Sequence, residues 1–332
     1  MTSLKKVAEE AGVSTATVSR VLSDKPHVRP QLRQRVLAAM QDLDYRPNLV
    51  ARSLRVQKSS IIGLIVSDIR NPFFTYVSRA VEDVAHAQGM STFLCNSDEN
   101  PEKEIQYLEQ MRGEIVAGII FSPTHQIADT FSELVVADLP MVVIDRRVNN
   151  TDVDSVMIDN VESAYRLAEH LITHGYRRIA ALFGIASTTG RERRKGFVQA
   201  LHDHALEPDP QLVSYVNARE EDGYQATLKL LALPDRPEAI FTSNGLLATG
   251  TFRALRESGL AIPNEIAFAT FDDTPWAGLV EPPVTVMQQP IYEIGKTAAE
   301  LLLERIQDPS RPTRQVVLQS TLVVRRSCGV HQ

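Results

Sequence analysis

The spacing of hydrophobic positions changes once, sharply, along this chain. Up to residue 45 they recur at helical intervals: Leu4, Val7, Ala8 and Ala11, then Val18, Val21 and Leu22, then Leu32, Val36, Met40 and Leu43. Apolar residues three and four apart put one face of a helix on a core. Gly12 separates the first two sets and can take the left-handed backbone of a tight turn. Ser14 is placed to cap a second helix over 15–23, and Pro30 opens a third at a favoured first position. From residue 61 the spacing gives way to continuous apolar runs alternating with amphipathic stretches. The run Ile61-Ile62-Gly63-Leu64-Ile65-Val66 has no polar interruption, as in strands buried on both faces of a parallel sheet.

That alternation predicts a helix carrying Phe74, Val77, Val81, Val84 and Ala85, then strand 91–95, helix 101–112, strand 117–121, helix 128–137 and strand 141–144. A second round follows: helix 161–174, strand 179–183, helix 191–202, strand 212–216, helix 223–231, strand 239–241, helix 246–258 and strand 266–270. Helix 291–306 and strands near 316–318 and 322–324 finish it. Two such rounds are a doubly wound α/β pattern. The expected fold is therefore an N-terminal all-α helix-turn-helix domain followed by an α/β core of two lobes. No apolar run reaches membrane-spanning length, and the N-terminus lacks an apolar signal segment.

Between the two patterns lies Tyr45-Arg46-Pro47-Asn48-Leu49-Val50-Ala51-Arg52-Ser53-Leu54-Arg55. Pro47 drives Arg46 out of helical geometry, Asn48 can cap, and 49–55 reads as two helical turns, too few to be stable alone. Arg52 and Arg55 beside Leu54 suit a minor groove, where a leucine wedges between base steps and arginines meet phosphates. The expected organisation is 1–46 helix-turn-helix, 47–60 hinge helix and linker, and 61–332 core. Lobe 1 would hold about 61–158 with 291–318, and lobe 2 about 159–290 with 319–332.

Charge sharpens this division. The net charge of −6 conceals a split. Residues 1–58 carry 11 Lys and Arg against 5 Asp and Glu, whereas the remainder carries 24 against 36. A small basic segment on an acidic body points to a polyanionic partner for that segment alone. In helix-turn-helix geometry the start of the second helix meets base edges; here that is Thr15, Ala16 and Thr17, with Arg20 one turn on. Thr and Ala suit thymine methyls, and Arg20 can reach guanine or phosphate.

Val7-Ala8-Glu9-Glu10-Ala11-Gly12-Val13-Ser14-Thr15-Ala16-Thr17-Val18-Ser19-Arg20-Val21-Leu22 resembles the DNA-reading segment of LacI/GalR-family regulators. Tyr45-Arg46-Pro47-Asn48 and Ala51-Arg52-Ser53-Leu54 are similar to that family's hinge helix, with Leu54 on its minor-groove leucine. The resemblance extends over the whole chain. It implies a transcriptional regulator of the repressor type that binds a palindromic operator in double-stranded DNA as a homodimer. It also implies a periplasmic-binding-protein-like core holding a small-molecule effector, and DNA contacts at Asn48, Ala51, Arg52 and Leu54.

Ligands of doubly wound sheets bind beyond the carboxyl ends of the strands. The residues singled out after predicted strands are the polar Asn71, Asp145, Arg146, Thr189, Arg193, Asn244 and Asp272, the aromatics Phe73 and Phe74, and Ala218. The resemblance places each on a family effector-contact position. Carboxylates, an amide and a guanidinium bracketed by rings suit a polyhydroxylated ligand. The chain has Asn244-Gly245 where many family members have Asn-Asp. Arg146 and Ala218 stand where a purine-binding member would have aromatics that stack on the base. The departures favour a sugar or sugar acid over a nucleobase or nucleoside.

An enzyme on a Rossmann-like scaffold is the other class to weigh. The chain has no Gly-x-Gly-x-x-Gly after the first strand, no phosphate-binding loop and no Gly-x-Ser-x-Gly elbow. His170 and His174 are four apart but lack the intervening glutamate of a zinc-binding His-Glu-x-x-His helix. Asp272 and Asp273, adjacent at a strand end, point apart. No cofactor or metal is expected. Cys95 and Cys328 show no metal spacing and suit a reduced compartment; with no signal segment a cytoplasmic location is expected, and the DNA-binding resemblance implies that it is nucleoid-associated. No leucine heptad follows the last strand, and a tetramer through a C-terminal coiled coil is not expected.

Overall fold

The computed structural model describes residues 3–22, 28–45, 59–113, 116–124, 139–148, 152–185 and 187–329. The expected hinge helix, with Asn48, Ala51, Arg52 and Leu54, and the expected helix over 128–137 lie outside the described residues. The chain divides into two compact units, Met1–Ser59 and Ser60–Gln332.

In the first unit, α1 (Leu4–Glu10) is capped by Ser3, whose hydroxyl accepts from the Lys6 N–H at 3.4 Å. Gly12 turns the chain at φ +59°. A β-carbon there would sit 2.5 Å from Arg35 Nη2, because that guanidinium donates to the Ala11 carbonyl at 2.6 Å and closes the end of α1. Ser14 caps α2 (Thr15–Leu22), accepting from the Thr17 N–H at 3.2 Å. Pro30 starts α3 (Pro30–Asp42). Val7, Ala8, Ala11, Val18, Val21, Val36 and Ala39 make one small core where the three helices meet.

The second unit begins with β1 (Ile61–Val66), α4 (Pro72–Ala87), β2 (Ser91–Asn96), α5 (Pro101–Gly113), β3 (Gly118–Phe121), β4 (Met141–Ile144) and β5 (Asp154–Ile158). The chain then enters a second lobe. There it forms α6 (Asn160–Thr173), β6 (Ile179–Gly184), α7 (Thr188–Asp203), β7 (Val213–Val216), α8 (Glu220–Leu231), β8 (Ala239–Thr242), α9 (Gly245–Glu257), β9 (Ala267–Phe271) and β10 (Thr285–Gln288). It returns to the first lobe as α10 (Ile291–Gln307) and β11 (Gln315–Leu318), and crosses once more to β12 (Thr321–Val323). The first sheet runs β2-β1-β3-β4-β5-β11, all parallel; the second runs β7-β6-β8-β9-β10-β12, with only β12 antiparallel. Both sheets have helices on their faces, so β1, β3, β4, β6, β8 and β9 are almost wholly buried, as parallel strands covered on both faces are.

Strand order reverses between β1 and β3 in one lobe and between β6 and β8 in the other. Such a reversal leaves a crevice at the strand C-termini, because successive helices leave on opposite faces. The loops there also start helices: Asn71, Asp159, Ser187 and Asn244 each accept from a backbone N–H in the first turn of α4, α6, α7 and α9. Capping chemistry thus concentrates polar side chains at the crevice.

Two strands depart from the expectation. β5 was not predicted because it opens with Asp154 and Ser155, which interrupt the apolar run. Both are buried, and Asp154 is tolerated because the Arg305 and Arg311 side chains, at 3.0 and 2.7 Å, and the Arg314 backbone N–H, at 2.8 Å, reach it from more than 150 residues away in sequence. β10 escaped prediction because it is four residues long and bracketed by Pro283 and Pro290. Among the described residues no helix is long and apolar enough to cross a membrane.

Candidate functional site

In the first unit the four candidate base-reading residues lie along the start of α2. Thr15, Ala16 and Arg20 are exposed and Thr17 is half-buried. The Thr17 hydroxyl lies 3.0 Å from that of Ser14, so it is already engaged in the turn, and its methyl is the part left for a base.

In the second unit all ten candidate effector residues line one cleft between the lobes, with empty space of about 760 Å³ including its mouth. Phe73 and Phe74 stand edge to face, ring centroids 5.0 Å apart. They are nearly buried, serving the core and the cleft wall together. Asn71 and Asn244 spend their carbonyl oxygens on the Phe73 and Leu247 N–H groups, at 3.0 and 2.9 Å, which leaves their amide N–H groups for the cleft. Thr189 Oγ1 donates to Ser187 Oγ at 3.0 Å.

Charged groups are sorted by lobe. On the first, Arg146 is held by Glu99 through both terminal nitrogens, by the Pro123 carbonyl at 2.9 Å and by Asp145 at 3.3 Å. Burial works against its charge, but Glu99 and Asp145 outweigh it and hold the guanidinium above its ordinary pKa. Four of its five N–H groups are engaged, three of them by Glu99 and the Pro123 carbonyl and one by Asp145, so it is largely committed within the first lobe. The Asp145 backbone is at φ +66°. Burial raises its pKa, with Arg146 and Arg193 pulling the other way.

On the second lobe Arg193 is only 4% exposed, and burial is the main cause lowering its pKa. Its Nε donates to Asn160 Oδ1 at 2.8 Å, Nη1 donates to the Ser243 carbonyl at 2.5 Å, and its guanidinium lies 4.0 Å from the Phe271 ring centre. Among the described residues no carboxylate comes within ion-pair distance of it. Asp272, at φ +72°, accepts from Gln289 Nε2 at 2.6 Å and from the Gly245 N–H at 3.0 Å, at the start of α9. Its neighbour Asp273 turns away to Arg325, at 2.7 and 2.8 Å. The two carboxylates therefore do not form an acid–base pair.

The cleft also contains residues that the strand-end reading missed. Asp68 pairs with Arg70 at 2.9 Å, Glu99 holds Arg146, and Gln289 places at the crossover beside Asp272 a buried Oε1 without a partner among the described residues. Glu99 follows the edge strand β2 and its role depends on an arginine 47 residues away. Gln289 lies at the end of the unpredicted β10. Asp68 and Arg70, directly after β1, were legible by the same rule that found Asn71. Among the described residues no group of three His, Cys, Asp or Glu side chains is placed to hold a metal.

Two family models match the chain. "Bacterial regulatory proteins, lacI family" covers residues 3–48, and "Periplasmic binding proteins and sugar binding domain of LacI family" covers residues 59–326. Similar curated proteins include the HTH-type transcriptional repressor PurR of Mannheimia succiniciproducens, 33% identical over 98% of each chain. The ribose operon repressor of Halalkalibacterium halodurans is 34% identical over 98% of this chain and 97% of its own. Among solved structures, the lac repressor dimer bound to operator and the anti-inducer ONPF aligns over 99% of both chains with a TM-score of 0.88 at 27% identity. The chain belongs to the LacI family and is a transcriptional repressor rather than an enzyme.

Proposed function

We propose that this repressor binds a pseudo-palindromic operator as a homodimer, and that a small sugar or sugar acid in the interlobe cleft controls that binding. The observation that carries the effector reading is Arg193, a buried guanidinium without a carboxylate partner among the described residues, set among Asp145, Asp272 and Asn244. Burying a charge without a directly hydrogen-bonded counter-charge is costly, and hydroxyls or a carboxylate of a ligand would complete its hydrogen bonds. Asp145 and Asp272 supply acceptors for hydroxyl donors, and Phe73 and Phe74 an apolar wall for a sugar ring. Arg146 and Ala218 provide no ring for a nucleobase to stack on. The ribose operon repressor among the relatives supports the same choice.

The DNA reading rests on the exposed start of α2, with Thr15, Ala16, Thr17 and Arg20 at base edges. By family resemblance Asn48, Ala51, Arg52 and Leu54 follow into the minor groove. Two-fold symmetry of the dimer would be mirrored in the operator. A regulator of the chromosome works in the cytoplasm, at the nucleoid.

Melting of the intact protein against pentoses, hexoses, their acids and free nucleobases tests the effector. A sugar or sugar acid should raise the midpoint. Arg193→Ala and Asp272→Ala should each weaken its binding more than tenfold, as loss of a charged hydrogen bond of roughly 1.5–3 kcal/mol implies. Stabilisation by nucleobases alone would overturn the sugar reading.

A further inference from the structure

One polar chain runs out of the cleft and across the lobes. Arg193 Nε donates to Asn160 Oδ1 at 2.8 Å; the same amide donates through Nδ2 to Glu192 Oε2 at 2.9 Å. Glu192 Oε1 then lies 3.3 Å from Arg147 Nε. Arg147 follows β4 on the first lobe and Glu192 is on α7 of the second. Among the described residues this is the ion pair that joins the lobes. Asn160 is 2% exposed and is the first residue of α6, directly after the chain has crossed. One side chain thus touches the cleft arginine, the interlobe pair and the crossover.

We propose that Arg147 and Glu192 form a latch that favours the closed arrangement of the lobes, and that Asn160 couples this latch to Arg193. An amide has one acceptor end and one donor end. With its oxygen on Arg193 and its nitrogen on Glu192, Asn160 cannot rotate without releasing both. Movement of the Arg193 guanidinium therefore changes the hold on Glu192, and the glutamate's grip on Arg147 changes with it. Arg147 and Glu192 have side-chain exposures of 54% and 23%. The pair is thus wet enough to open, and a modest bias is what a two-state element needs. The coupling rests on the cleft being the effector site; the latch does not.

The test needs no effector. Both native cysteines are buried, so Arg112→Cys and Lys229→Cys, at exposed helix positions on the two lobes, can be spin-labelled for interlobe distances in the full-length protein. At low salt, Arg147→Gln and Glu192→Gln should each lower the closed-to-open ratio about two- to fivefold, as expected for a partly exposed ion pair. High salt should bring the parent to the same distribution. Arg193→Lys, which keeps the charge but loses the Nε–H, should shift the distribution the same way with melting near the parent's. Unchanged distances in Arg147→Gln would overturn the latch. A shift there with none in Arg193→Lys would overturn the coupling while leaving the effector reading to its own ligand test.

Discussion

At the scale of single residues, chemistry depends on what burial leaves unpaired. Glu104 is fully buried on α5, accepting from the Thr124 N–H at 2.9 Å and from the hydroxyls of Thr124 and Ser97 at 3.0 and 3.2 Å. Burial outweighs these bonds and raises its pKa to about 7. The folded state therefore binds this proton more tightly than the unfolded chain, where the group titrates near 4.5. Its contribution to stability is full below about pH 4.5 and is lost as pH rises through about 7, by linkage on the order of 3 kcal/mol. Urea unfolding at stepped pH should show that downward slope in the parent and a flatter profile in Glu104→Gln; parallel profiles would refute it. On α2, Arg20→Ala should cost operator binding about 1–3 kcal/mol with relaxed preference at one position per half-site. A uniform loss on every sequence, with a shallower salt slope, would instead make Arg20 a phosphate contact.

At the scale of elements, the second lobe is assembled from two closely approaching helix pairs, α6 with α7 and α8 with α9. A β-carbon on Gly196 would lie 2.0 Å from the Val161 carbonyl oxygen, and one on Gly250 1.9 Å from that of Glu220. These obstacles are backbone and cannot rotate away. Gly250→Ala should destabilise the core by about 1–3 kcal/mol or more, as overpacking does, read as a fall in urea midpoint. An unchanged midpoint would mean that the pair can separate without loss. Elements such as β1, α5 and β4 were legible because each carries its own signal, an unbroken apolar run or a helical stripe. β5 was hidden by Asp154, whose burial makes sense only once Arg305 and Arg311 are beside it. The cleft followed the same division. Asn71, Arg193 and Asp272 could be placed by their positions after predicted strands together with the family resemblance. The partnerships of Glu99 with Arg146 and of Asn160 with Arg193 and Glu192 arise from folding and leave no local trace.

At the scale of the molecule, the chain crosses between the lobes three times, after β5, β10 and β11. Neither lobe is contiguous in sequence, so neither can unfold without pulling on the other. The single tryptophan, Trp276, lies in the second lobe. Its fluorescence and the whole-core circular dichroism should therefore give coincident urea transitions for residues 60–332. Separated transitions would show the lobes to be independent. The same threading orders events during synthesis. The first unit has its whole helical core in hand once residue 45 has emerged. The first lobe lacks the helix covering α4 and β3–β5, and its edge strand, until residues 291–318 appear; the second lacks β12 until 323. A nascent chain on the ribosome thus carries a complete helix-turn-helix for some 270 residues of translation before it carries a finished cleft.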